Sequence, residues 1–277
     1  MNMQRDERAH ARAREVRQRF VSRPSFEEYS RKYTEHFTMK RQNGVLEVAM
    51  HTNGGPIVLD IKIHNDWAQL WYDIGNDPEN EVLIFTGTGD QWMTFGPESM
   101  GDEPVTSLPS DSFYDHQIAD SLKVLESLIF NIDIPTIACI NGPGIHSEIA
   151  LMFDITLCAD HATLFDPHFP VGLVPGDGQG LVFQALMGMK RSAYYMYTGA
   201  AIDAPTALDY GLVNEVLPCE GLLPRAREIA ADIMKQPRTT RRMTASVIRR
   251  PWKQLLVRDL GYHVSHEMLA MKLDAKL

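Results

Sequence analysis

Cysteine is scarce in this chain. Cys139, Cys158 and Cys219 are an odd number with no CxxC pair, which argues against a structural disulfide framework and points to a reducing compartment. Positive charge is in deficit, with 27 Lys and Arg against 36 Asp and Glu and a net charge of −9. Such a surface repels phosphate backbones, so nucleic acid is not an expected partner. Long apolar runs are missing as well, so no membrane-spanning segment is expected. The opening residues, MNMQRDERAHARAREVRQRF, have no apolar signal-peptide core, and Asp6, Glu7 and Glu15 fit a transit peptide poorly. A cytoplasmic location is the expectation. Several chemical signatures are also absent: there is no P-loop, no GxGxxG, no GxSxG elbow, no HExxH and no Cys/His cluster with metal-ligand spacing. No zincin-type or Cys/His metal site is therefore indicated.

What is present is an α/β pattern. Residues 1–25 form a basic arm, and alternation begins after it. Strands are predicted at Gly44–His51, Glu81–Gly87, Pro135–Gly142 and Ile155–Cys158. Helices between them are predicted at Ile61–Ile74, His116–Phe130 and Glu148–Phe153, the first with Trp67, Leu70, Trp71 and Ile74 on one face. Strands separated by helices imply crossovers and a mostly parallel sheet. After Gly178 the spacing predicts helices at Gln179–Met187, Arg191–Tyr197, Ala204–Tyr210, Leu222–Met234, Thr239–Ile248 and Pro251–Leu273, with Pro224 and Pro251 in first turns. A helical tail of this size suits packing between subunits.

Three segments carry candidate chemistry. Phe165–Gly178 is rich in glycine and proline, the composition of a shaped loop, and holds His168 and Asp177. A carboxylate that accepts from one imidazole nitrogen fixes the tautomer, so that the other can take a proton from water. A satisfied loop histidine beside a turn aspartate is the plainer alternative. Asn141–Glu148 follows a predicted buried strand, where ligands bind in α/β sheets, and places His146 at a helix entry. There His146 could donate to a carbonyl oxygen, or Ser147 and His146 could merely cap the helix. Last, His263 and Glu267 stand four apart on one helix face, as a surface pair or as a contribution to a site.

Longer motifs add a resemblance. Thr198–Ala204 with Ala207, followed by Gly211–Val216, resembles the signature of the crotonase superfamily, and the similarity runs from about Tyr29 to Leu273. It implies an α/β fold with a spiral core of ββα units (the ClpP/crotonase-like class) over 26–200, and a C-terminal helical trimerisation region over 201–277. Gly87–Phe95 and the loop opening at Asn141-Gly142 resemble the segments that supply two oxyanion-binding amides. The departures are informative. Coenzyme A-dependent members usually carry a run of glycines where Gly144-Ile145-His146-Ser147 stands, and a Pro-Glu where Pro167-His168 stands.

These substitutions are similar to the 6-oxocamphor hydrolase-like β-diketone hydrolases of that superfamily. The resemblance implies a cofactor-independent hydrolase that cleaves a C–C bond of a cyclic β-diketone by a retro-Claisen reaction and yields a keto acid. It implies catalytic roles for His146, His168, Asp177 and Glu267, and a homotrimer or a dimer of trimers. Trp92, Met93, Phe95 and Phe169 are candidates for the substrate-binding wall. Two other readings remain: a coenzyme A-dependent hydratase, isomerase or thioester hydrolase with altered residues, and a non-catalytic binding protein using the Arg-rich arm and Arg238, Arg241, Arg242, Arg249 and Arg250 as basic patches.

Overall fold

A computed structural model describes residues 23–96, 99, 109–115 and 120–273. The basic arm lies outside these, apart from Arg23 to Ser25. Helix α1 (Phe26–Lys32) begins in a capping box, in which Ser25 and Glu28 satisfy each other's backbone amides. Strands β1 (Phe37–Gln42) and β2 (Val45–Met50) then form a hairpin. Its two-residue turn is Asn43-Gly44, both at positive φ, the conformation that matches the twist of paired strands.

The next helix, α2 (Ile61–Asn76), starts where the Asp60 side chain accepts the Ile63 amide at 2.9 Å. Its buried residues Ile63, Trp67, Leu70, Trp71 and Ile74 follow helical spacing and cover the sheet. Then come β3 (Val82–Gly87), the short α3 (Ser110–Phe113), α4 (Asp120–Asn131), β4 (Thr136–Ile140), α5 (Ser147–Leu151) and β5 (Ile155–Ala159). Every residue of β3 and β4 is buried, as expected for central strands covered on both faces. The main sheet runs β1-β2-β3-β4-β5-β8, parallel from β2 onward, with β8 (Glu215–Leu217) beyond β5. A small antiparallel pair joins β6 (Thr163–Leu164) to β7 (Ile202–Asp203).

Helices dominate the remainder: α6 (Gln179–Met187), α7 (Met189–Thr198), α8 (Ala204–Asp209), α9 (Cys219–Met234), α10 (Arg238–Ile248), α11 (Arg250–Leu255) and α12 (Gly261–Leu273). Two details differ from expectation. Pro224 stands inside α9, because Pro218 opens the helix a turn earlier. The final helix is interrupted between α11 and α12 by a π-helical turn, Leu256–Leu260. No helix among the described residues is long and apolar enough to cross a membrane.

The arginines of the tail serve the fold. Arg238 and Arg241 both grip Glu81, Arg242 meets Asp133, and Arg249, only 2 % exposed, donates to both Asp154 oxygens and to the carbonyls of Ile132 and Ile134. Four of the five arginines in the expected basic patch are thus committed to intramolecular partners. Arg249 ties the helical tail to the start of β4. Replacing it with Met leaves Asp154 buried without its cation, and should cost about 3–5 kcal/mol. Urea unfolding would read this as a lower midpoint; an unshifted midpoint would show that the tie contributes nothing.

Candidate active site

The expected residues His146, His168, Asp177 and Glu267 come together in one cluster. His146 occupies the left-handed region (φ 52°, ψ 39°) just before α5. Glycine takes that conformation easily, whereas in a histidine it is strained by roughly 1–3 kcal/mol. The backbone turn aims Nδ1 at Glu148 Oε1, 2.7 Å away, with Asp177 Oδ2 at 3.5 Å. Gln179 braces this turn: its Oε1 accepts the Glu148 amide at 3.1 Å, and its side chain pairs with Ser147.

Asp177 sits between two glycines that its position requires. A Cβ on Gly176 would stand 2.4 Å from the His263 carbonyl and 2.6 Å from Glu267 Cβ, so only glycine lets the loop lie against α12. Gly178 has φ 125° and packs on Leu125. Asp177 Oδ2 is consequently 3.5 Å from both His146 Nδ1 and His168 Nε2. His168 opens a short 3-10 turn (Phe169–Val171) and is held by Asp166, which accepts its backbone amide at 2.9 Å and faces Nδ1 at 3.1 Å. Glu267 Oε1 approaches His168 Nε2 from α12 at 3.8 Å.

Asp166 is therefore the group that orients His168, while Asp177 bridges the two imidazoles. The sequence reading gives the orienting role to Asp177. An aspartate two residues before a histidine that accepts the latter's own amide is a local turn signal, and it could have found Asp166. Glu148 and His64 were missed too. The His64 ring meets that of His146 edge-on at 5.4 Å, and Trp67 lies 6.3 Å from His146. Both project from α2, whose polar side carries no periodic signal.

The electrostatics follow from burial among carboxylates. Desolvation alone would lower the affinity of His146 for its proton, but Glu148 and Asp177 outweigh it and bring the pKa to about 9. In the same way burial opposes the His168 charge, and Asp177, Asp166 and Glu267 hold its pKa at about 10. Burial raises Glu267 to about 8, with Asp177 adding repulsion. Glu148 is raised by burial as well, whereas Asp177, facing both imidazoles, is lowered despite burial. Near neutral pH the site thus holds charged imidazoles, an ionised Asp177 and a protonated Glu267. The donor atoms of His146, Glu148 and Asp177, and those of Asp166, His168 and Asp177, form two groups within 4.8 Å that could hold a metal ion. Sequence spacing hides both, since Asp177 joins each local pair from a separate turn.

The two loops expected to offer oxyanion amides are tied to each other and to their surroundings. The Trp92 amide donates to Pro143, Thr94 to Ile57, Gly144 to Thr163 and Ile145 to Met93. Of the expected wall residues, Trp92 and Met93 are core, with Trp92 edge-on to Phe85 and its indole N–H on the His146 carbonyl at 3.3 Å. Phe95 and Phe169 are half-exposed, Phe169 stacked edge-on against Tyr197.

Known proteins similar to this chain agree on the fold. A β-diketone hydrolase from the cyanobacterium Anabaena sp. PCC 7120, solved bound to (S)-3-oxocyclohexyl acetic acid, superposes with a TM-score of 0.84 at 35% identity over 92% of this chain and all of that one. An enoyl-CoA hydratase/isomerase from Mycobacterium paratuberculosis superposes with a TM-score of 0.77 at 22% identity, covering 86% of this chain and 94% of that one. Among curated proteins, carnitinyl-CoA dehydratase of Citrobacter koseri is 29% identical over 205 residues, 72% of this chain and 74% of the relative. The family described as enoyl-CoA hydratase/isomerase matches residues 40–271. The chain belongs to this family, and so to the crotonase superfamily.

Proposed function

We propose that the protein is a cofactor-independent β-diketone hydrolase that cleaves a cyclic 1,3-diketone by a retro-Claisen reaction. The observation that carries this reading is His146. It stands at a glycine-type backbone position, is charged near neutral pH, and lies beside loops whose amides at Trp92, Thr94, Gly144 and Ile145 are already bonded. An imidazolium in a water-poor site is a strong donor to a developing alkoxide. Likeness to the Anabaena hydrolase supports the same reading.

In the proposed reaction water gives a proton to the His168–Glu267 pair, in which Glu267 has the affinity nearest neutrality. The water oxygen bonds to one ketone carbon, and the alkoxide faces His146. As the carbonyl re-forms, the C–C bond breaks and its electron pair leaves as an enolate delocalised onto the second carbonyl. The same pair returns the proton to carbon, giving a keto acid. Asp177 steadies the charge on both imidazoles, and Glu148 and Asp166 fix their orientation. Phe95 and Phe169 offer apolar surface to an uncharged substrate. We place the enzyme in the cytoplasm, in keeping with its three unpaired thiols, and expect a trimer or dimer of trimers. Exposed Met243, Val247, Val257, Tyr262, Leu269 and Leu273 on the tail suit such contacts; a monomer in sedimentation would refute them.

A screen of cyclic 1,3-diketones, following loss of enol absorbance, tests the reaction; no turnover across the panel would sink it. The pH profile tests the site. Below about 8 Glu267 is protonated and cannot accept a proton, so the rate should fall on the acid side. Above about 9 His146 loses the proton it offers the alkoxide, so the rate should fall again. The two limbs belong to the coupled cluster rather than to single residues. An optimum near pH 5 would contradict the assignment.

The curated relatives favour a second reading, thioester chemistry on coenzyme A. Calorimetric titration with acetyl-coenzyme A separates the two, since saturable micromolar binding would favour the thioester.

A further inference from the structure

Outside the catalytic cluster, one buried histidine has both ring nitrogens against carboxylates. His36, in the turn between α1 and β1, is 2 % exposed. Its Nδ1 lies 2.7 Å from Asp66 Oδ2 and its Nε2 lies 3.2 Å from Asp60 Oδ2. An ionised carboxylate only accepts, so both nitrogens must carry hydrogen, and the ring is an imidazolium. Burial opposes that charge, but the hydrogen bonds and charges of Asp66 and Asp60 prevail and raise its affinity for the proton. Of the groups nearby, His51 is a weaker repulsive neighbour, and Glu35 and Lys62 pair with each other at the surface.

The two aspartates bracket the beginning of α2. Asp60 is the N-cap, with Oδ1 on the Ile63 amide and Oδ2 turned to His36. Asp66 stands on the second turn. Between and beside them are His64 and Trp67, whose rings pack on His146. A cation clamped across Asp60 and Asp66 therefore sets the rotation and height of the helix end that abuts the site. A neutral ring would set a lone pair against a carboxylate and loosen one side of the clamp.

We infer that His36 is a positioning residue: by bridging Asp60 and Asp66 it fixes the start of α2, and through His64 and Trp67 it fixes the imidazole of His146. For catalysis the inference rests on the hydrolase reading, but the placement of the rings does not. Histidine-selective NMR on the full chain tests it, with signals assigned from single substitutions. In His36→Gln, which keeps a donating amide but no charge, the His64 and His146 signals should shift while those of exposed His161 and His266 stay in place. Asp66→Asn is the second variant should the first fail to fold, and should move the same two signals. On any 1,3-diketone that the protein turns over, kcat should fall roughly 10- to 100-fold with KM little changed, as expected for misplacement of a catalytic group. A folded variant with a lower melting temperature but unmoved His64 and His146 signals would overturn the proposal, leaving His36 as a fold anchor alone. Failure of the diketone screen would remove the kinetic arm and leave the spectroscopic one standing.

Discussion

His168→Ala should lower turnover of the diketone by about 10²–10⁴-fold, the contribution of a positioned acid–base group. The loss should fall on kcat more than on KM, because the ring is expected to act on water and the enolate rather than on the bound ketone. The substitution also removes the cation around which Asp166, Asp177 and Glu267 gather. Three buried carboxylates then face one another with only His146 for compensation, so the remaining acids should take up protons at higher pH. The acid limb of the residual activity should accordingly move upward. The sign for stability follows from linkage. The His168 pKa of about 10 exceeds the ordinary 6.5, so its stabilisation is complete below about pH 6.5 and is lost as pH rises toward 10. Wild type should lose its stability advantage over His168→Ala in that window. Full activity in a folded His168→Ala protein would remove the ring from the mechanism.

His146→Gln should cost about 10²–10³-fold in kcat, the usual effect of deleting one oxyanion donor. The expectation is at the upper end, because the Ile145 and Gly144 amides are engaged by Met93 and Thr163 and are not in reserve. Glutamine can still donate to Glu148, so the buried carboxylate keeps a partner and the variant should fold. It lacks a titrating charge, so the alkaline limb near pH 9 should vanish along with the activity. If the alkaline limb persists in this variant, another group carries it and His146 is not the electrophile.

Much of the architecture could be read from the chain because its signals were redundant. Trp67, Leu70, Trp71 and Ile74 fall on one side of α2, and β3 and β4 are short apolar runs bounded by polar residues. The hairpin strand β1 went unread although Asn43-Gly44 announces its turn. Its residues, FTMKRQ, alternate weakly and carry Lys40 and Arg41 on an edge. The site was legible where chemistry and backbone coincide in sequence, as at His168 and in the Gly176-Asp177-Gly178 string. It was illegible where function depends on a third dimension. Which nitrogen of His168 faces Asp166 and which faces Asp177 depends on the 3-10 turn after the ring. That Glu148 serves His146 depends on the left-handed backbone of His146 itself. His64 and His36 reach their partners only through the lie of α2.

The interruption at Leu256–Leu260 has a consequence for how the tail can vary. A π-helical turn holds about one residue more than an α turn, so everything after it is rotated by roughly 100° relative to an unbroken helix. Glu267 lies two turns further on and points at His168 because of that offset. Trimming a single position from the bulge would leave the hydrophobic composition of the tail nearly intact, yet it would swing the carboxylate onto another side of the rod. At that place the spacing of the polypeptide, more than the identity of any side chain in it, decides whether the acid faces the histidine.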